Sequence, residues 1–251
     1  MLVSARSFAE YRAMFGLTAR DLGGSVLDCP GGAGSFVAEA GGRGVDAVAV
    51  DREYARHRAE LGALVERETR HKHPALLREA AAFVWSWYGH PDRLTEQWIG
   101  NARVFRADIA ARPERYVAAS LPDLPFADDS FDLVLSSHLL FSYGNRLDEA
   151  FHLASLLELA RVARREVRLF PVVVYDTGRR YGPLERLRSQ LADAGIPSRL
   201  ERTAYEFQPG ADERLVLSCG GYRPPVRAAR PSAPVDPVRW RHREAAPGPG
   251  P

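Results

Sequence analysis

Lysine is almost missing from this chain. Lys72 is the one lysine among 251 residues, and arginine supplies every other permanently basic side chain. The formal net charge is only +2, so the arginines are nearly balanced by acids and mark a compositional bias, not a basic surface for nucleic acid. Cysteine is scarce too. Cys29 and Cys219 sit at the ends of predicted strands with no metal-ligand spacing around them, which excludes a disulfide framework and a thiolate metal centre. No apolar run approaches the roughly 18 residues that a membrane span requires. The first residues, Met1 to Phe8, lack the apolar core of a secretory signal. A reducing, cytoplasmic setting without a membrane partner is the expectation.

What the chain does have is a strand, a glycine-rich turn, a short helix and a second strand between Ser25 and Asp51. Val26 and Leu27 begin a continuous apolar run, as in a parallel strand covered on both faces. Gly31, Gly32 and Gly34 allow a sharp turn and close approach of backbone to a ligand. A helix starting near Ser35 is expected to aim free N–H groups over that turn, which suits a carboxylate or phosphate. Asp51 ends the strand Val48-Ala49-Val50, where a carboxylate can accept both hydroxyls of a ribose. A dinucleotide fingerprint wants G-x-G-x-x-G directly after the strand. Here the single G-x-G is Gly32-Ala33-Gly34, and Val37 stands where the third glycine belongs.

Asp28 followed by Gly32 and Gly34 resembles the first motif of the class I S-adenosylmethionine-dependent methyltransferases, with Pro30 in place of that motif's first glycine. A second block, Leu121-Pro-Asp-Leu-Pro-Phe126 leading into Ser130-Phe-Asp-Leu-Val134, resembles the loop and fourth strand of the same superfamily. The family's usual acid beside the adenine falls on Ser120. The resemblance covers about residues 20 to 220. It implies a Rossmann-like α/β fold, with a seven-stranded, mostly parallel sheet, helices on both faces and a closing antiparallel hairpin. It also implies S-adenosylmethionine as cofactor. Asp28 with the turn Pro30, Gly31, Gly32 and Gly34 is expected against the methionine part. Asp51 with Arg52 is expected at the ribose, Ser120 and Leu121 at the adenine, and Ser137 and His138 beneath the reactive centre.

The remaining patterns suit that architecture. Leu153, Leu156, Leu157 and Ala160 recur at the spacing of one buried helical face, and Asp148 and Arg161 suit the dipole at its two ends. Val167 to Tyr175 reads as a further strand, with Pro171 calling for a bulge or an edge. Leu184, Leu187 and Leu191 predict a helix stopped by Gly195 and Pro197. Arg199 to Phe207 and Arg214 to Cys219 predict the terminal hairpin. One domain over residues 1–221 is expected, carrying a helical insertion at about 52–118. Residues 222–251, rich in Pro, Ala, Arg and Gly, are expected to be a disordered tail.

The insertion far exceeds an ordinary strand–helix connection and holds three of the four tryptophans, Trp85, Trp87 and Trp98. Helices are expected at Arg56–Glu68 and Pro74–Tyr88, with a short one capped by Asp92. Two compatible readings follow: these aromatics line a substrate cavity, or they form the cap's own core. His71-Lys72-His73 does not make a metal site, because imidazoles at i and i+2 point to different faces. His138 is the candidate general base and Tyr143 the candidate for orienting an acceptor. An Asn-Pro-Pro-Tyr-type loop is absent, as is the lysine pair of ribose methylation, which leaves a small molecule or a peptide as acceptor. A non-catalytic module that binds the cofactor or a partner is the alternative, and a nicotinamide-dependent reductase a further one.

Overall fold

The computed structural model describes residues 5–56 and 58–224. The expected tail therefore lies outside the described residues, apart from 222–224. Seven strands form one sheet: β1 (Val26–Asp28), β2 (Ala47–Val50), β3 (Tyr116–Val117), β4 (Phe131–Ser137), β5 (Ala163–Phe170), β6 (Ser198–Arg202) and β7 (Glu213–Ser218). Their order is β3-β2-β1-β4-β5-β7-β6. The first five run parallel, and β7 pairs antiparallel with both β5 and β6. The chain order reverses beside β1, between β2 and β4, which is where ligands bind in open α/β sheets.

Alternation of side chains across the strands divides the core in two. Val26, Ala47, Ala49, Leu133 and Leu135 face one side, covered by α1 (Phe8–Phe15) and α2 (Phe36–Gly41) through Tyr11, Phe15 and Phe36. Leu27, Val50, Val134 and Val167 face the other side, covered by α5 (Glu149–Val162) and α6 (Leu184–Asp193) through Leu156, Leu159, Leu187 and Leu191. Asp148 caps α5 by accepting from the Phe151 N–H at 2.7 Å. Gly195 ends α6 with a φ of +83°, a conformation that only glycine adopts freely.

Several boundaries depart from the sequence reading. The insertion is a helical pair, α3 (Arg58–Arg78) and α4 (Pro91–Ala111), and α3 runs straight through Pro74. The proline's missing N–H costs one hydrogen bond, but Leu61 and Val65 are buried and Leu76 packs against the core, and this burial carries the helix across it. His90, not Asp92, caps α4: its Nδ1 accepts from the Asp92 N–H at 3.3 Å, with Pro91 in the first turn. β3 lies inside the span assigned to the insertion. β5 ends at Phe170, so Pro171 follows the strand instead of bulging it. The register shift in this part of the sheet falls between Phe131 and Leu133, where β4 meets β5. Helix α1 was not foreseen at all, although Ser7-x-x-Glu10 is a capping box and Gly16, at φ +57°, its C-terminal stop.

Candidate functional site

The turn after β1 is held by its own protein. Gly31 donates to the Val50 carbonyl at 2.9 Å and Gly32, at φ +56°, donates to Asp51 Oδ2 at 3.0 Å. The Ser35 N–H at the head of α2 donates to the Arg6 carbonyl at 2.8 Å. The amides expected to face a ligand are thus largely committed. The glycines are needed for internal packing as well: a Cβ on Gly31 would lie 2.6 Å from Tyr54 Oη, and one on Gly34 would lie 2.9 Å from the Arg6 carbonyl oxygen. Pro30, at the motif's first glycine, follows a cis peptide after Cys29.

Asp28 is not open to a ligand in this arrangement. It is 1% exposed, and the Tyr11 hydroxyl reaches both of its oxygens, at 2.9 and 3.0 Å. Burial pushes its carboxyl well above the usual range; the Tyr11 hydrogen bond works against this and the charge of Asp51 adds to it. Asp28 therefore ties α1 to β1, a different placement from the one expected at the methionine part.

Asp51 is placed as the sequence implied. It ends β2, with Oδ1 accepting from the Glu53 N–H at 2.9 Å and Oδ2 from Gly32. Burial raises its carboxyl, and those two backbone donors partly offset the rise. Each oxygen keeps a lone pair beyond the bond it makes, which is what ribose hydroxyls need. Arg52 is exposed beside it. Ser120, exposed, and Leu121, buried, follow β3 at the same end of the sheet. Asp51, the left-handed Gly32 and the Ser120–Leu121 loop all follow strands at this one end of the sheet.

At the end of β4, His138 takes a φ of +51°, a left-handed conformation uncommon outside glycine, although histidine adopts it more readily than most side chains. Arg6 Nη2 lies 3.0 Å from its Nε2, and Ser137 Oγ lies 2.7 Å from its Nδ1. A guanidinium can only donate, so Nε2 accepts and Nδ1 carries the proton toward Ser137. Burial, and then the Arg6 charge, hold the imidazole well below its ordinary range. In this arrangement the Nε2 lone pair of His138 faces Arg6 and burial favours the neutral ring. Acidification tests this placement. An unfolded imidazole gains its proton near pH 6.5, whereas the folded one resists. Stability should therefore fall as pH drops below that point, by up to about 1.4 kcal/mol per pH unit. His138→Asn, which tolerates the backbone, should flatten that part of the profile in urea unfolding.

Arg6 belongs to a buried cluster that joins three distant segments. Its Nη1 donates to Glu10 Oε1 at 3.2 Å and to Tyr205 Oη at 2.8 Å. Tyr88 donates to the same Glu10 oxygen, and its hydroxyl lies 2.8 Å from that of Tyr205. Sequence reasoning missed Arg6, Glu10 and Tyr205. The capping box was the single local signal pointing to Glu10.

Arg6 and His138 also wall a cavity of about 940 Å³ beneath α3 and α4, together with Trp98, Tyr143, Phe170 and Tyr205. That volume suits a drug-sized ligand. The insertion's aromatics divide between the two readings: Phe83 and Trp98 line the cavity, while Tyr88 and Phe105 are buried in the core. The ring of Tyr143 carries the Arg146 guanidinium, 5.7 Å from its centroid. His73 bonds Thr95 and Asp92, and no cluster of metal-ligating side chains occurs among the described residues. No helix among them is long and apolar enough to cross a membrane.

The family described as a methyltransferase domain matches residues 95–170, from within α4 to the end of β5. An uncharacterized protein of Methanocaldococcus jannaschii is 27% identical over 214 residues, covering 84% of this chain and 93% of that one. Among solved structures, the magnesium protoporphyrin IX methyltransferase of Synechocystis PCC 6803 with bound S-adenosylmethionine aligns at a TM-score of 0.42. It is 15% identical and covers 77% of this chain and 69% of that one. The Burkholderia thailandensis 1,6-didemethyltoxoflavin-N1-methyltransferase aligns at 0.40, with 15% identity, over 84% of this chain and 74% of that one.

Proposed function

We propose that the chain is a class I S-adenosylmethionine-dependent methyltransferase and that it methylates a small molecule or peptide held in the cavity beside His138. The observation that carries this reading is the position of Arg6. Its backbone carbonyl closes the glycine turn through Ser35, while its side chain walls the cavity. Cofactor turn and acceptor cavity thereby share one residue.

The cofactor supplies an activated methyl group on a sulfonium. The protein's part is chiefly placement, which for well-oriented reactants is worth up to roughly 7–11 kcal/mol of the barrier. Asp51 accepts the ribose hydroxyls, Ser120 and Leu121 border the adenine, and Ser137 and His138 floor the space between the two ligands. Tyr143, at the cavity wall, orients the acceptor, with one face of its ring turned to Arg146. With its lone pair held by Arg6, His138 is not poised to take a proton. The site therefore favours an acceptor atom that is already nucleophilic at neutral pH.

Calorimetric titration tests the reading. S-adenosylhomocysteine should bind in the micromolar range and NADH should not. Incubation with S-adenosylmethionine and pools of metabolites should release S-adenosylhomocysteine for at least one acceptor class. Silence across amines, carboxylates, phenols and thiols, despite cofactor binding, would contradict it.

A further inference from the structure

Both polar atoms of the Gly32 backbone are held by one short segment. The helical turn Arg52–Ala55 follows β2 directly, with Asp51 at its head. Asp51 Oδ2 accepts from the Gly32 N–H at 3.0 Å, and Tyr54 Oη donates to the Gly32 carbonyl at 2.8 Å. That N–H belongs to the peptide plane before Gly32 and that carbonyl to the plane after it. Fixing both planes fixes φ and ψ of the residue between them. Gly32 lies at φ +56°, and a glycine enters and leaves that region with little steric penalty. The left-handed turn is therefore maintained by its two partners and not by the residue itself.

Tyr54 is well placed to be the second of those partners. Its own N–H donates to the Asp51 carbonyl at 3.2 Å, which ties the two side chains to a single turn. Its ring stacks on Phe105 of α4 with centroids 5.8 Å apart and meets the ring of Tyr116 of β3 edge-on at 5.5 Å. Tyr116 is fixed in turn, its hydroxyl donating to Asp108 Oδ2 of α4 at 2.7 Å. Packing thus aims the Tyr54 hydroxyl, and Gly31 leaves it room: a Cβ there would lie 2.6 Å from Oη. Burial pushes the phenol well above its ordinary range, and the charges of Asp51 and Asp28 add to this. The group stays protonated and able to donate.

The same bracing reaches the acceptor side. Helix α4 carries Phe105 and Asp108 near one end, and Thr95 and Trp98 near the other line the cavity. One helix therefore supports both the turn after β1 and the cavity wall.

We propose that Tyr54 is a positioning residue for the cofactor: its hydroxyl, paired with Asp51, locks the Gly32 backbone in the conformation that receives the adenosyl group. This deepens the activity proposed above and rests on that reading.

The test compares the full chain with Tyr54→Phe, which keeps the ring and removes the hydroxyl. Calorimetric titration should show S-adenosylhomocysteine binding weakened about fivefold or more, the scale of one buried acceptor left unsatisfied. Hydrogen exchange in the turn, residues 29–35, should quicken by a similar factor while β4 keeps its wild-type rate. A hydroxyl that served stability alone would lower the urea midpoint and leave the affinity of the folded protein unchanged. Gly32→Ala strains the same φ by a second route and should also weaken binding, and the double variant should bind no worse than the poorer single one. Unchanged exchange in the turn, affinity within about twofold of wild type in Tyr54→Phe, or losses that multiply in the double variant would each overturn the proposal. If S-adenosylhomocysteine fails to bind the wild-type chain but the turn still loosens in Tyr54→Phe, the clamp on Gly32 stands and the methyltransferase reading falls.

Discussion

Asp51→Ala should lower the affinity for S-adenosylhomocysteine by a hundredfold or more. Two hydrogen bonds from ribose hydroxyls to a carboxylate are worth about 1.5–3 kcal/mol each, and about 1.4 kcal/mol is tenfold in affinity. The substitution also frees the Gly32 N–H, which Asp51 Oδ2 holds at 3.0 Å, so the turn loses an anchor together with the ligand contact. Asp51→Asn separates the two effects. Its amide oxygen can still take Gly32, so an intermediate loss is expected. Because burial already raises the Asp51 carboxyl, removing the charge should not unfold the protein. Equal affinity in Asp51→Ala would remove the ribose assignment.

The second large effect is on stability. Arg6→Ala should destabilise the fold by about 3–5 kcal/mol, because it strands a buried partner charge. The Arg6 and Glu10 side chains are 6% and 0% exposed, respectively. Without the guanidinium, Tyr205 and His138 each lose a donor, and the segment that closes the glycine turn is no longer held at the cavity. For a domain of typical stability, about 5–15 kcal/mol, that loss is severe. Arg6→Met combined with Glu10→Gln should recover more than half of it, since the double change removes both charges and keeps most of the volume. Urea unfolding of the two variants measures both numbers. A loss below about 1 kcal/mol in Arg6→Ala would mean that the cluster is not structural.

The parts of this molecule legible from sequence are those whose physics is local. Val26–Leu27 and Leu133–Leu135 lie inside the parallel sheet, covered on both faces, and so read as short apolar runs. The position of Asp51 was legible because the apolar run of β2 stops directly before it. The cluster at the cavity was not. Arg6 and Tyr205 are 199 residues apart, and no spacing rule connects them. The contact of Asp28 with Tyr11 was not legible for the same reason, since Tyr11 sits on a helix that went unrecognised. Pro74 misled in the opposite direction. Local propensity predicted a break, and burial of Leu61 and Val65 on the same helix overrode it.

The claim that joins these observations is that the turn after β1, Asp51 and the Ser120–Leu121 loop enclose one adenosyl ligand, next to the cavity walled by Arg6 and His138. A crystal structure with S-adenosylhomocysteine at saturation tests it most directly. The account predicts ribose hydroxyls on Asp51, adenine against Leu121, and the sulfur toward Ser137 and His138. Density elsewhere on the protein, or none under saturating ligand, would contradict it.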